Sequence, residues 1–209
     1  MSLNIKLTIT GIFIYAFCFA QNDTLPANQY IAEDPETVFF HAEFFRPVSI
    51  NDSFWGEYNT YGGFALDFNW FVIPELTLGT HYSVFGGRVE NRENTGNISG
   101  TTTNLLGINV GYYHAFNREL SLHTTAGLGV VYYTNRAPED KFTEEGDATW
   151  LQSELAFRFD RTMAVYVKAA TRWDRMDIKA PRELEDYFNK HSLLILGFGL
   201  RIHFQNPGG

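Results

Sequence analysis

Apolar residues alternate with small or polar residues along eight segments of the chain, and this pattern constrains the fold most. In the segment 105–116, Leu106 and Ile108 share one face, whereas Gly107 and Asn109 lie opposite. Such a period of two is typical of β-strands, whose successive side chains point to opposite faces. Most segments approach the 9–11 residues, roughly, that a tilted strand needs to cross a bilayer. The eight segments are 38–46, 63–72, 76–85, 105–116, 120–133, 151–159, 164–173 and 194–204.

Glycine is sorted onto the polar face of these segments. The interior of an eight-stranded barrel is just wide enough for side chains, so glycines there make room for charged residues. A soluble lipocalin-like barrel or sandwich would instead place the aromatics inside and the glycines outside. The pattern therefore predicts an all-β protein, an eight-stranded antiparallel up-and-down transmembrane β-barrel over 38–204. The sorted glycines are Gly79, Gly107, Gly111, Gly127, Gly129, Gly197 and Gly199.

The N-terminus is typical of an exported protein. Lys6 precedes an apolar run from Leu7 to Ala20, which is shorter than the roughly 20 residues of a spanning helix. We therefore predict a signal peptide over 1–20, cleaved after Ala20, in preference to a membrane anchor. The remaining ends are predicted to be a disordered periplasmic leader over 21–37 and a short tail over 205–209.

Composition excludes several classes of function. The formal net charge of −8 argues against nucleic-acid binding, which requires a basic face. The single cysteine, Cys18, lies in the predicted signal peptide, which excludes a disulfide framework and a cysteine-based zinc site. We expect no cofactor.

Short and long connections alternate between the predicted strands. Outer-membrane barrels have short periplasmic turns and longer extracellular loops. The short links are 73–75, 117–119 and 160–162, and the long links are 47–60, 86–103, 134–148 and 174–190. The acidic stretch 138–147 is predicted to be a solvated surface loop, with calcium binding as the alternative. A short helix is predicted around 182–189.

Aromatic residues cluster near strand ends, which is typical of the girdles of membrane barrels. Near the periplasmic side we place Trp70, Phe71, Phe116, Phe159 and Phe204, and near the outer side Phe85, Tyr132, Tyr133, Trp150 and Trp173.

The last strand combines Gly199, alternating apolar residues including Ile202, and a final aromatic, Phe204. In this the chain resembles the small outer-membrane β-barrel family of Gram-negative bacteria (OmpA/OmpX type, "outer membrane protein beta-barrel domain"). The resemblance implies an outer-membrane location and an insertion signal read by the barrel-assembly machinery. It also implies contact with outer-membrane lipids, including lipopolysaccharide. Five residues follow Phe204, whereas the family often ends on the aromatic.

The polar faces together predict a salt-bridged network that fills the lumen, because buried charges must pair. We expect a monomer with a structural or surface-interaction role, such as membrane integrity, adhesion or recognition of an unknown extracellular ligand through four outer loops. The alternatives are a narrow, porin-like ion or solute channel, a lipid A-modifying enzyme using His81 and Ser83, and a histidine metal site. The predicted network comprises Glu43, Asp67, His81, Asn109, His123, Glu154, Arg158, Lys168, Arg172, Arg201 and His203.

Overall fold

The computed structural model describes residues 36–91, 95, 97–138, 140–178 and 181–205. The predicted signal peptide, most of the predicted leader and most of the tail lie outside these residues. The strands are β1 (Glu36–Ser49), β2 (Tyr58–Thr60), β3 (Gly63–Ile73), β4 (Leu76–Val89), β5 (Gly100–Ala115), β6 (Leu120–Arg136), β7 (Lys141–Arg158), β8 (Met163–Met176) and β9 (Lys190–Gln205). A 3₁₀-helix spans Phe54–Glu57 and a short helix, α1, spans Glu185–Asn189.

The strands close into an antiparallel barrel. β1 pairs with β3 and with β9, β3 pairs with β4, and each strand from β4 to β8 pairs with the next along the chain, so that β1 and β3 to β9 form a ring of eight strands. The short β2 continues the line of β3 and pairs with the outer end of β4, where Tyr58 lies opposite Val89. The predicted eight-stranded barrel is therefore confirmed. No helix in the described part of the chain is long and apolar enough to cross a membrane.

One end of the barrel carries tight turns. β3 and β4 are joined by Pro74 and Glu75 alone, and the next two turns span 116–119 and 159–162. The predicted short links are thus confirmed. Barrel strands of 11 to 18 residues reach or exceed the roughly 9–11 residues needed to cross a bilayer.

The predicted loop over 134–148 is wrong, because β6 and β7 stay paired up to Arg136 and Lys141. Cross-strand hydrogen bonds support this extension: the hydroxyls of Thr134 and Thr143 are 3.2 Å apart, and Asn135 Nδ2 donates to Glu144 at 2.8 Å. Most of the acidic stretch is therefore strand, with only residues 137–140 connecting. Buried and more exposed side chains continue to alternate past position 133, although the outward side chains there are no longer apolar.

The two faces of the sheet differ in the way the alternation predicts. Large apolar side chains point outward, and several of them are about 60% exposed, whereas charged and polar side chains point into the barrel and are buried. This distribution is the inverse of a soluble protein and excludes a lipocalin-like arrangement. The most exposed apolar residues are Phe44, Leu106, Ile108, Leu128, Val167 and Phe198.

An apolar cluster fills the outer end of the lumen. Phe54 and Trp55 of the 3₁₀-helix fold into the barrel and pack with Tyr58, Phe85 and Tyr133; we call these five residues the mouth cluster. The expected outer girdle is therefore only partly correct. Tyr132 and Trp173 face outward, but Phe85, Tyr133 and Trp150 are buried inside.

Candidate functional site

The structure places the eleven residues of the predicted network on the inner face of the barrel. Ten of them are buried, and Arg158 is half-buried near the turn that follows β7. These side chains form several contact groups at different heights in the lumen. Asn109 lies apart from the ion pairs, next to Gly79, where an added Cβ would approach its Oδ1 to 2.8 Å.

Arg201 organises the largest group. Its guanidinium forms an ion pair with Glu154, donates from Nε to His41 Nε2 at 2.8 Å, and donates from Nη1 to Ser121 Oγ at 3.1 Å. His123 lies 3.2 Å from Glu154 through Nδ1 and 2.8 Å from the hydroxyl of Thr77 through Nε2. We call Arg201, Glu154, His41 and His123 the central ionic cluster. Because its members come from β9, β7, β1 and β6, it ties opposite walls of the barrel together.

Aromatic rings cover the same guanidinium. The Arg201 Cζ lies 5.0 Å from the ring centroid of Phe39 and 5.7 Å from that of Tyr113. A guanidinium over an aromatic face is stabilised by the ring quadrupole, and more so when water is excluded. The central ionic cluster is thus enclosed by side chains on several sides, which favours packing over conduction.

Two further pairs of buried polar side chains lie inside the barrel. Lys168 of β8 forms an ion pair with Glu43 of β1, on the far side of β9, and its Nζ donates to Gln152 Oε1 at 3.3 Å. Asp67 Oδ1 lies 2.7 Å from His81 Nδ1, directly across the β3–β4 ladder. Buried charges are tolerated when they are paired and hydrogen-bonded, and each of these carboxylates has such a partner.

Near the outer end, Arg172 and Asp174 form a bidentate pair, with both nitrogen–oxygen distances at 2.7 Å. Tyr133 donates to Asp174 Oδ2 at 2.6 Å, and Trp55 Nε1 donates to the Tyr133 hydroxyl at 3.0 Å. This chain of contacts connects the ionic interior with the mouth cluster. It also anchors the 3₁₀-helix to the barrel wall.

Sequence reasoning missed Asp174, Tyr133 and Trp55. Asp174 was predicted to begin an outer loop, but it continues the inward parity of Lys168 and Arg172 on β8. Tyr133 likewise continues the inward parity of His123 on β6. Extending the period of two by one residue on β8 would have found Asp174, whereas Tyr133 lay within the predicted segment 120–133 but was assigned to the outer girdle. Trp55 lies outside any strand, so no periodicity marks it.

Glycines leave the space that the large inward side chains occupy. A Cβ at Gly107 would lie 2.6 Å from Trp150 Cη2, and one at Gly199 would lie 2.8 Å from the Tyr166 hydroxyl. Real Cβ atoms do not approach so closely, because interiors are already packed to crystal-like density. The glycines on the polar face are therefore part of how the lumen is filled.

A small cavity remains between the ion pairs and the mouth cluster. Its volume is about 10 Å³, and its lining includes Glu43, His81, Trp150 and Arg172. A volume of this size holds about one water molecule. It provides no room for a substrate or a cofactor.

The geometry around His81 and Ser83 gives little support to a lipid A-modifying enzyme, and the histidines give little support to a metal site. His81 Nδ1 contacts Asp67, and its ring packs 5.0 Å from Trp150, while Ser83 is buried on the same inner face. Neither His81 nor Ser83 points toward the lipid-facing surface. Among the residues that the structure describes, no group of three His, Cys, Asp or Glu side chains could hold a metal ion.

The predicted insertion signal lies at the closing seam of the barrel. Gly199 faces inward against Tyr166, Ile202 is half-buried opposite Phe40 of β1, and Phe204 is exposed on the outer surface. Arg158 Nη2 donates to His203 Nδ1 at 3.2 Å, beneath the central ionic cluster. The final strand therefore contributes both to the lumen and to the outer wall of the barrel.

Comparison with solved structures finds outer-membrane barrels. Neisserial surface protein A (NspA) superposes with a TM-score of 0.52 and 12% identity over 80% of this chain and 96% of that one. A major outer membrane protein from Thermus thermophilus superposes with a TM-score of 0.50 and 14% identity over 80% of this chain and 99% of that one. No protein-family model matches the sequence, and no curated protein matches it significantly. The similarity is one of fold.

Proposed function

We propose that this chain is an outer-membrane barrel of a Gram-negative bacterium with a closed lumen, acting as a structural or surface-interaction protein rather than an enzyme. The observation that carries the proposal is the filled interior, where the central ionic cluster and the mouth cluster occupy successive levels. Function then belongs to the outer wall and the outer loops. The exposed apolar band supports the membrane location.

Planar-bilayer recording tests the closed lumen. The mature protein is refolded, its folding is checked by heat-modifiable gel migration, and its conductance is compared with that of Glu43→Ala. We expect no discrete conductance steps from the unmodified barrel, because paired side chains block its interior. Steps that Glu43→Ala alters would contradict the proposal and favour a narrow channel. Glu145→Ala, which changes a carboxylate on β7 outside the lumen, is the matched control.

We also propose that the barrel-assembly machinery recognises the last strand through Gly199, Ile202 and Phe204. Phe204→Ala should lower the amount of folded barrel in the outer-membrane fraction of expressing cells. Phe159 is a matched control, because it is an exposed aromatic near the same end of the barrel, with 55% exposure against 52% for Phe204. Equal assembly of Phe204→Ala and Phe159→Ala would contradict a signalling role for Phe204.

A further inference from the structure

A groove of about 800 Å³ opens on the outer wall of the barrel, toward its extracellular end. Its volume lies within the range of about 300–1,000 Å³ that is typical of ligand pockets. Phe44, Phe64 and Val84 line its membrane-facing part, and Arg88 and Arg136 line the part nearer the outer rim. The lining therefore changes from apolar to basic along the strand direction.

The groove exists because the wall is interrupted between β1 and β3. These strands pair only as far as Phe45 and Gly63; beyond that point β1 continues with β9, whereas β2 pairs with β4. Gly62 and Gly86 add depth, since neither places a side chain in the space. The Phe44 and Phe64 rings, 5.7 Å apart, border its apolar part.

Basic residues form a row across the rim of the groove. Arg88 lies opposite Gly100 on β5, Gly100 lies opposite Arg136 on β6, and Arg136 lies opposite Lys141 on β7. Like charges on facing strand positions repel each other unless an anion lies between them. Among the described residues neither arginine forms an ion pair, and the groove lining contains no carboxylate. In a chain of net charge −8, this local excess of cations favours an anionic ligand.

We propose that the groove binds a phosphorylated lipid of the outer leaflet. The phosphate lies between Arg88 and Arg136, and an acyl chain lies along Phe44, Phe64 and Val84. Guanidinium groups bind phosphate through paired, charge-assisted hydrogen bonds. The Arg88 guanidinium also lies 6.0 Å from the Tyr61 ring, at the edge of the same groove. This inference goes beyond the proposed function and requires only that the barrel lies in the membrane.

Native mass spectrometry of the refolded full-length protein tests this assignment, with bisphosphorylated lipid A as the probe. We expect retained lipid A on the unmodified barrel and about 25-fold weaker retention on Arg88→Gln/Arg136→Gln, the product of roughly fivefold for each basic residue at an anionic lipid surface. Arg118→Gln/Arg161→Gln is the matched control. It removes two positive charges from the tight turns at the other end of the barrel. Equal retention by the two double variants would overturn the proposal.

Two further comparisons distinguish the contribution of the lipid phosphate to binding from the contribution of the groove. Dephosphorylated lipid A should bind the unmodified barrel as weakly as lipid A binds Arg88→Gln/Arg136→Gln. Gly86→Leu keeps both arginines but fills the groove, and it should also lose retention while preserving heat-modifiable migration. Full retention by Gly86→Leu would overturn the role of the groove, and equal binding of phosphorylated and dephosphorylated lipid would overturn the role of phosphate.

Discussion

The central ionic cluster and the mouth cluster close the same lumen with different chemistry. In the first, Arg201 of β9 and Glu154 of β7 bind each other, and each is almost fully buried. In the second, Trp55 and Phe54 pack on aromatic side chains, much as in the core of a soluble protein. In the central ionic cluster the inward strand residues are charged or are histidines. In the mouth cluster the inward strand residues Phe85 and Tyr133 are aromatic, and the 3₁₀-helix adds Phe54 and Trp55 from a loop.

The proposed membrane location explains the contrast between the outer wall and the interior. An outer wall that faces hydrocarbon can expose the apolar residues that a soluble protein would bury. The interior then has to accommodate polar strand faces, and it does so with ion pairs between strands, as in Arg201–Glu154 and Lys168–Glu43. At the end of the lumen that holds the mouth cluster, the interior is packed mainly with apolar side chains instead.

Breaking the central ionic cluster should have the largest effect. Arg201→Met leaves Glu154 buried without its cation, which costs about 3–5 kcal/mol of unfolding free energy. Equilibrium urea unfolding in lipid vesicles measures the loss. Adding Glu154→Gln should recover much of the stability, because the uncompensated charge is then gone. A stability of Arg201→Met within error of Arg161→Met, a change in an exposed turn, would contradict the account.

Trimming the mouth cluster should cost somewhat less, because a loop can partly collapse into the space. Trp55→Ala removes a buried ring and its hydrogen bond to Tyr133, which we expect to lower the unfolding free energy by about 2–4 kcal/mol. The same urea experiment compares it with Phe44→Ala, whose ring is 62% exposed to the lipid side. If Phe44→Ala were the more damaging of the two, the aromatic packing at the mouth would not be the stabilising element.

Adding a methyl group inside the packed lumen should destabilise the barrel less than trimming the mouth cluster does. Gly107→Ala places a Cβ 2.6 Å from the Trp150 ring and against backbone of β6, which should destabilise the barrel by about 1–3 kcal/mol. Gly56→Ala is the control, since a Cβ there has no neighbour within 4 Å. Thermal unfolding followed by gel migration would rank the two. Identical curves would mean that the glycines are not needed for space.

The smallest effect should come from the tight turn after β7, over residues 159–162. Thr162 donates to Asp160 Oδ1 from its backbone nitrogen at 3.0 Å and its hydroxyl at 2.9 Å, which lowers the pKa of that exposed carboxyl. The stabilisation is present above the ordinary pKa of an aspartate and is lost as pH falls through the lowered value. An NMR titration of Asp160 checks the direction, and Thr162→Val should move the pKa back upward.

The strand parity and the closed barrel could be predicted because both follow from a period of two and from the sorting of glycine. The inward placement of Glu43, Glu154 and Arg201 follows from the same period. Their partners could not be predicted, because pairing across the lumen depends on register and strand tilt, which no single segment encodes. The extent of β7 was also missed, since its outer part alternates between polar residues. The insertion of Trp55 depends on tertiary packing alone.

Site-directed spin labelling across neighbouring positions of β5 tests the central claim, that the apolar face meets lipid and the polar face meets the lumen. Single cysteines replace Ile108, which is 60% exposed, and Asn109, which is buried. We expect a high collision rate with oxygen dissolved in the bilayer for a nitroxide at position 108, and a low rate for one at position 109, which is shielded inside the barrel. Equal access at both positions, or greater access at 109, would contradict the inside-out distribution of polar and apolar side chains.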